Sequence, residues 1–136
     1  MTYTDATAID AIATAIELEQ NFVYAAGLAG AFLQDRAKRQ AVAELSEHRG
    51  RQQTLSSMLD PSAVPGAPPG FAPPTPITDA STARAALAQV NNALVGAYAD
   101  VAAATSDRDR AFAIDCAQGS ARSAVQWGAA SQAFPT

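Results

Sequence analysis

The stretch DPSAVPGAPPGFAPPTPI, residues 60–77, decides the fold of this chain. It holds seven of the eight prolines in a sequence of 136 residues, and the eighth is Pro135. A proline inside a helix removes a backbone hydrogen bond and clashes with the preceding turn, so no helix runs through this stretch. We therefore expect two halves, joined by an extended, polyproline-like linker over residues 60–78.

Both halves have the composition of helices. Alanine fills 34 of the 136 positions, and aromatic residues make up only 7%. Because alanine is the best helix former and is rare in strands, the fold class predicted is all-α, in a single domain over residues 1–136. Helices are predicted over residues 5–33, 36–59, 79–104 and 107–130. Asp35 is the predicted N-cap of helix 2, and Ser106 with Asp109 has the spacing of a capping box at helix 4.

The lengths of the connections predict how the helices are arranged. Short links between helices 1 and 2, and between helices 3 and 4, make two antiparallel hairpins. In polyproline geometry the linker spans up to roughly 55 Å, enough to run the length of the bundle. We expect it to let helix 3 start from the end at which helix 1 starts. Two hairpins joined by one long crossover is the topology of a ferritin-like four-helix bundle.

Two ionisable residues fall among the predicted core positions. A spacing of three and four residues gives these positions as Ile9, Ile12, Ile16, Val23, Ala26, Gly30 and Leu33 in helix 1, Ala41, Leu45, Gln52, Leu55 and Leu59 in helix 2, Ala83, Leu87, Val90, Leu94, Ala97 and Val101 in helix 3, and, as the best fit, Phe112, Cys116, Gly119, Ser123 and Gln126 in helix 4. Glu19 and His48 lie on the same faces, in the middle of their helices. Because a buried carboxylate needs a partner, we expect these two to pair, joined by Gln52 and Asn91, and to fix helix register.

Inward carboxylate and imidazole groups also suggest a metal site. A di-iron bundle uses a Glu from each of two helices and a Glu-x-x-His from each of the other two. His48 is the only histidine, and the residue three before it is Leu45. We therefore expect no metal and no cofactor; were iron or manganese to bind, the ligands would be Glu19, Glu44 and His48. A small apolar ligand among alanines and glycines between the helices is a further alternative.

Several motifs resemble one family. They are EQNFVYAAG at residues 19–27, HRGR at 48–51, the proline-rich crossover and AFP at 133–135. Together they resemble an alanine-rich, ferritin-like domain family of actinobacteria, over nearly the whole chain. The resemblance implies a ferritin-like bundle, often found in pairs, with no established activity.

The chain departs from that family's pattern at the positions that carry acids and histidine. The pattern has Glu-His where this chain has Glu19-Gln20, and it has acidic residues where this chain has Asn91 and Gly119. The residues His48, Arg49 and Arg51 match the family's His-Arg-x-Arg. The departures weaken the metal alternative further.

Helix 1 carries a second apolar stripe. It consists of Leu18, Phe22, Ala25, Ala29 and Phe32, with Tyr24 or Leu28 near its edge. A helix that is apolar on two faces needs cover on both, and a lone four-helix bundle leaves the outer face open. We therefore predict that this stripe is a homodimer contact.

Charge and cysteine content narrow the function. The formal net charge of −4 argues against nucleic acid and anionic membrane as partners. The chain shows no secretory signal, and its one cysteine, Cys116, is expected to be a small buried side chain. We expect a cytoplasmic, non-catalytic structural or interaction module. The alternative is a divergent di-metal carboxylate oxidoreductase or an iron-binding protein that uses Glu19, Glu44 and His48.

Overall fold

The computed structural model of the chain describes residues 2–66 and 76–129. Within them the chain forms four α-helices, one short 3₁₀ helix and no strand, which confirms the all-helical fold class. The α-helices are α1 (Ala6–Ala29), α2 (Asp35–Ser57), α3 (Ala80–Ala104) and α4 (Asp107–Gln126), and the 3₁₀ helix Pro61–Ala63 follows α2. Most of the predicted proline-rich crossover, and the motif at residues 133–135, lie outside the described residues.

Helix α1 ends four residues earlier than the sequence pattern predicts, at Ala29 rather than residue 33. Gly30 caps it, and its backbone N–H donates to the carbonyl of Ala26 at 3.0 Å. Helix α4 likewise ends at Gln126 rather than residue 130. None of the helices in the described residues is long and apolar enough to cross a membrane.

At the two hairpin turns, the predicted N-cap is wrong for α2, whereas at α4 the predicted N-cap residue is right but its side-chain hydrogen bond is missing. Gln34, not Asp35, is the N-cap of α2, and Ser106 is the N-cap of α4 without a side-chain cap hydrogen bond. The reason is the turn geometry: Asp35 and Asp107 have φ angles of 51° and 53°. Both lie in the left-handed region, which aspartate tolerates better than most residues and which reverses the chain here. The predicted capping box of Ser106 with Asp109 is therefore wrong.

The first residues of the described chain fix the directions of the helices. The Tyr3 backbone N–H donates to the Met58 carbonyl at 3.0 Å, and its hydroxyl donates to Asp109 at 2.7 Å. The start of α1, the end of α2 and the start of α4 therefore lie at one end of the bundle. Only two residues separate α3 from α4, so α3 ends there too and runs antiparallel to α1. The expectation that helix 3 starts where helix 1 starts is wrong; α3 begins at the opposite end, where the Arg84 guanidinium lies 5.6 Å from the centre of the Trp127 ring.

Helices α1 and α3 form the centre of the fold. Helix α1 packs against both α2 and α3, and α3 packs against both α1 and α4. Two neighbours cover a wide arc of α1, so Phe22, Ala25 and Ala29 are fully buried within the chain. The predicted homodimer contact is therefore wrong for these three residues. Of the other two members of that stripe, Leu18 is half-buried against the core and Phe32 is 39% exposed.

The buried face of α4 is shifted from the predicted one. Its buried residues are Ala113, Cys116, Ser120 and Ala124, followed by Trp127 just past its end. Gln126, a predicted core position, is exposed. The shift follows from composition, because alanines on several sides of α4 make the apolar spacing ambiguous.

Candidate functional site

A buried carboxylate lies at the centre of the bundle. Glu19, on α1, is fully buried, and both of its carboxylate oxygens are engaged. His48 Nδ1, on α2, lies 2.5 Å from Oε1, and the Tyr98 hydroxyl, on α3, donates to Oε2 at 2.5 Å. The structure thus brings Glu19 and His48 together and adds Tyr98. We call these three residues the polar triad; it joins three helices.

The imidazole of His48 is held by a stacking contact on its ring face as well as by its hydrogen bond to Glu19. Its ring stacks on Phe22 with the ring centres 3.7 Å apart and the planes 15° from parallel. The residue is only 1% exposed. When Glu19 is ionised, the hydrogen of this contact is on Nδ1, and Nδ1–H donates a hydrogen bond to the carboxylate. This bond fixes the orientation of the ring.

Tyr98 is the member of the triad that the sequence analysis missed. It is fully buried, its ring meets Phe112 edge to face at 6.1 Å, and the Arg51 guanidinium lies 5.8 Å from the ring centre. Burial first, and then the charge of Glu19, raise the pKa of the Tyr98 hydroxyl far above its ordinary value. The hydroxyl therefore stays protonated and donates.

Arg51 continues the polar contacts from α2 to α4. It is 7% exposed; Nη1 donates to the Ser120 hydroxyl at 2.9 Å, and Nη2 donates to Glu47 at 2.8 Å. Burial lowers the pKa of the guanidinium. The surrounding acidic groups, Cys116, Glu19, Tyr98 and Glu47, together raise it by more than burial lowers it. Arg51 therefore stays charged.

Gly119 makes room for that guanidinium. A Cβ atom at position 119 would lie 2.8 Å from Arg51 Nη2, closer than a Cβ contact allows. In this chain the space beside position 119 is filled by the Arg51 side chain.

Gln52 and Asn91 do not join the triad. Gln52 is half-buried, and no hydrogen bond in the described part of the chain links it to Glu19 or His48. Asn91 is fully buried, but its amide donates to the carbonyl of Leu87, one turn earlier in α3, at 3.0 Å. The predicted four-residue cluster is therefore wrong for these two residues, because the Asn91 amide bonds its own helix instead.

Glu44 lies in a separate polar contact between α2 and α4. It is 6% exposed, and its Oε2 accepts from the Trp127 indole and from the Gln40 amide, each at 3.0 Å. A third contact, from the Gln40 amide to the Gln126 side-chain oxygen at 3.1 Å, links the same two helices.

The alternative metal ligands are not assembled. In residues 2–66 and 76–129, no group of three or more His, Cys, Asp and Glu side chains is placed to hold a metal ion. The set Glu19, Glu44 and His48 is therefore wrong as a ligand cluster. Both oxygens of Glu19 already bind donors from His48 and Tyr98, so these groups do not fit a di-metal carboxylate centre.

Cys116 lies beside the network but is poorly suited to nucleophilic chemistry. It is 5% exposed, and burial raises the pKa of its thiol to about 11, although Arg51 acts in the opposite direction. Near neutral pH the group is a thiol and not the thiolate that attacks or ligates.

Comparisons with known proteins place the chain in a family. Residues 11–136 match a family model described as Domain of unknown function (DUF4439). The chain belongs to this family. The DUF4439 fold of the chain is similar to the crystal structure of a conserved hypothetical protein, rv2844, from Mycobacterium tuberculosis. The two share 25% sequence identity with a TM-score of 0.82, and the match covers 91% of this chain and 97% of the other.

No curated protein matches the chain.

Proposed function

We propose that this DUF4439 domain is a non-catalytic structural or interaction module, in which the polar triad fixes the register of α1, α2 and α3. One observation carries the proposal: each oxygen of the buried Glu19 accepts a hydrogen bond from a different helix. A buried polar network that sets register is a well-attested use of such groups.

The alanine-rich core explains why a polar network that fixes helix register is useful. Many core positions are alanines, whose small side chains interlock weakly and allow several alignments of neighbouring helices. Sliding one helix by a turn moves a donor by about 5.4 Å. That displacement would leave the Glu19 carboxylate buried without its partner, at a cost on the order of several kcal/mol.

The same groups are poorly placed for catalysis. The carboxylate of Glu19 is occupied by two donors, and the His48 ring is covered by Phe22. The raised pKa values of Tyr98 and Cys116 keep both neutral near pH 7. Neither the Tyr98 hydroxyl nor the Cys116 thiol is thereby available as an anionic nucleophile.

We further propose a ferritin-like topology, with the proline-rich stretch as the crossover. The support is that α2 ends at one end of the bundle and α3 begins at the other, so the chain between them spans its length.

We propose a cytoplasmic protein with no resident cofactor and no nucleic-acid or membrane partner, in keeping with its net charge of −4 and its single buried cysteine.

The register role is tested by a double-mutant cycle in urea unfolding. Tyr98→Phe removes one donor and keeps the ring, so we expect the free energy of unfolding to fall by about 1–3 kcal/mol. His48→Gln should also destabilise, and the two changes should couple by at least about 0.5 kcal/mol through the shared carboxylate. The matched control is Tyr24→Phe, which deletes a hydroxyl on a ring that is 46% exposed.

A Tyr98→Phe variant as stable as the wild type would refute the register role. The non-catalytic part is tested separately, by iron and manganese analysis of protein purified without chelators. Stoichiometric metal that is lost in His48→Ala would overturn it and favour the oxidoreductase alternative.

A further inference from the structure

Exposed apolar side chains lie on the outer face of α1 and in the turn that follows it. Tyr24 and Leu28 are on α1, four residues apart, and Phe32 lies in the turn after Ala29; they are 46%, 40% and 39% exposed. These are three of the six large exposed apolar residues in the described chain. The others, on α2 and α4, are Val42, Ile114 and Val125. We call Tyr24, Leu28 and Phe32 the α1 patch.

Charges of opposite sign flank the α1 patch. Toward the start of α1, Asp10 and Glu17 are exposed, and they precede Tyr24 by fourteen and seven residues, which places them on the same side of the helix. Beyond Phe32, the start of α2 carries Arg36, Lys38 and Arg39 beside Asp35, all exposed. The surface is thus acidic toward the start of α1, and at the corner after the α1 patch it carries three basic side chains against one acid.

We propose that a second copy of this chain covers the α1 patch, with the two α1 helices antiparallel about a two-fold axis between Tyr24 and Leu28. In this arrangement Tyr24 of each copy packs against Leu28 of the other, as an isologous interface requires. Glu17 then lies roughly 13 Å from the axis, at 1.5 Å per residue, on the side where the other copy has its basic corner.

Charge complementarity selects this orientation. A parallel pairing of the two α1 helices would place the acidic end of one copy beside the acidic end of the other, and the two basic corners side by side. Repulsion between like charges at a partly buried interface opposes that arrangement, whereas the antiparallel one pairs opposite charges at both ends.

This interface differs from the predicted stripe of Leu18, Phe22, Ala25, Ala29 and Phe32: it keeps Phe32, and it is centred on Tyr24 and Leu28, which were predicted only at the edge of that stripe. It also lies on the side of α1 away from the polar triad, so it does not depend on the register role. A failure of one proposal leaves the other standing.

The test is sedimentation equilibrium of the full chain between 1 and 100 µM. We expect a dimer whose dissociation constant rises more than tenfold in Leu28→Lys, with helical circular dichroism unchanged. Val42→Lys is the matched control: it places the same charge on a residue that is 60% exposed on α2, outside the α1 patch, and should not alter the dissociation constant.

Charge reversal tests the orientation. Glu17→Arg should weaken the dimer several-fold, and Glu17→Arg combined with Arg36→Glu and Arg39→Glu should restore it. A monomer at 100 µM would overturn the proposal, as would a dimer insensitive to Leu28→Lys. A dimer that dissociates in Leu28→Lys but ignores the charge reversal would overturn the antiparallel arrangement.

Discussion

The Arg51 guanidinium leaves no room for a side chain at Gly119. Position 119 is helical, and elsewhere in these helices a glycine could be replaced without steric conflict, as at Gly50 and Gly96, where an added Cβ meets nothing within 4 Å. At Gly119 the added atom meets Arg51 Nη2, which is held by Ser120 and Glu47. The choice of glycine at this position therefore follows from a partner on another helix.

Alanine substitution separates these cases. Gly50→Ala, on an exposed helical position, should raise the free energy of unfolding by about 0.5–1 kcal/mol through helix propensity. Gly119→Ala should instead lower it by about 1 kcal/mol, because displacement of Arg51 breaks its bond to Ser120. Urea unfolding of both variants measures the difference, and a stabilised Gly119→Ala would show that Arg51 relocates without loss.

Cys116 gives a pH dependence whose sign is fixed. Its folded-state pKa, about 11, lies above its unfolded value of 9.0. The folded state therefore holds the proton more tightly, and this contribution to stability is complete below pH 9 and is lost as the pH rises toward 11. We expect the urea midpoint to fall between pH 9 and pH 11, and to fall less steeply in Cys116→Ala. Equal slopes would contradict the assignment.

The sequence indicates some residues of the network and hides others. Glu19 and His48 are visible because each interrupts an aliphatic series, and a buried charge calls for a partner. Tyr98 is harder to find: it stands beside Ala97 in α3, amid alanines that fit several helix faces equally well. Only the packing of α3 against α1 shows that its hydroxyl reaches an acid 79 positions away.

Among the secondary-structure elements, the helix starts differ in how they are capped. Asp5 caps α1, with its carboxylate accepting from the Ala8 N–H at 3.1 Å, and Asp79 with Thr82 forms a reciprocal capping box at α3. At α4, the residue in the same position, Ser106, makes no such bond. Type of residue alone does not determine whether an N-cap forms.

Two alanine substitutions compare a bonded cap with an unbonded one. Asp5→Ala should cost about 1 kcal/mol of unfolding free energy, because a helix N–H loses its acceptor. Ser106→Ala should leave the unfolding transition unchanged. Thermal and urea unfolding measure both, and a loss in Ser106→Ala as large as in Asp5→Ala would show that the serine caps α4 in solution.

Sequence reasoning does better for the existence of helices than for their faces. The prolines and the two polar turns mark where helices stop, since chain breakers act locally. Which face is buried depends on neighbours: α1 touches two helices and buries Phe22 and Ala29 on a side assigned to a second molecule. A prediction that assigns one narrow apolar stripe to the core underestimates the buried surface of a helix with two packed neighbours.

For the whole molecule, this central position of α1 and α3 predicts an order of stability. Each packs against two helices, whereas the backbones of α2 and α4 each lie closely along one. Helices with fewer packed neighbours open at lower free energy. Amide hydrogen exchange followed by mass spectrometry should therefore find the slowest exchange in α1 and α3. Uniform exchange across all four helices would contradict this expectation.

The side between α2 and α4 is closed by side chains that reach across it. Arg51 to Ser120, Trp127 to Glu44 and Gln40 to Gln126 are its three hydrogen bonds in the described residues. These contacts are polar and spaced along the helices, so their loss would separate α2 from α4 while α1 and α3 remain packed.

Trp127 is an intrinsic fluorescence probe of this side of the bundle. It is the only tryptophan of the chain, its indole is 2% exposed, and its N–H is bonded to Glu44. Fluorescence emission of the native protein should accordingly be blue-shifted, and should move to longer wavelength as soon as water reaches the indole. Since the indole is bonded to Glu44 of α2 and lies near Arg84 of α3, its emission can register a separation of α4 from these helices. Far-ultraviolet dichroism, which measures helix content, does not detect such an opening when the helices stay intact.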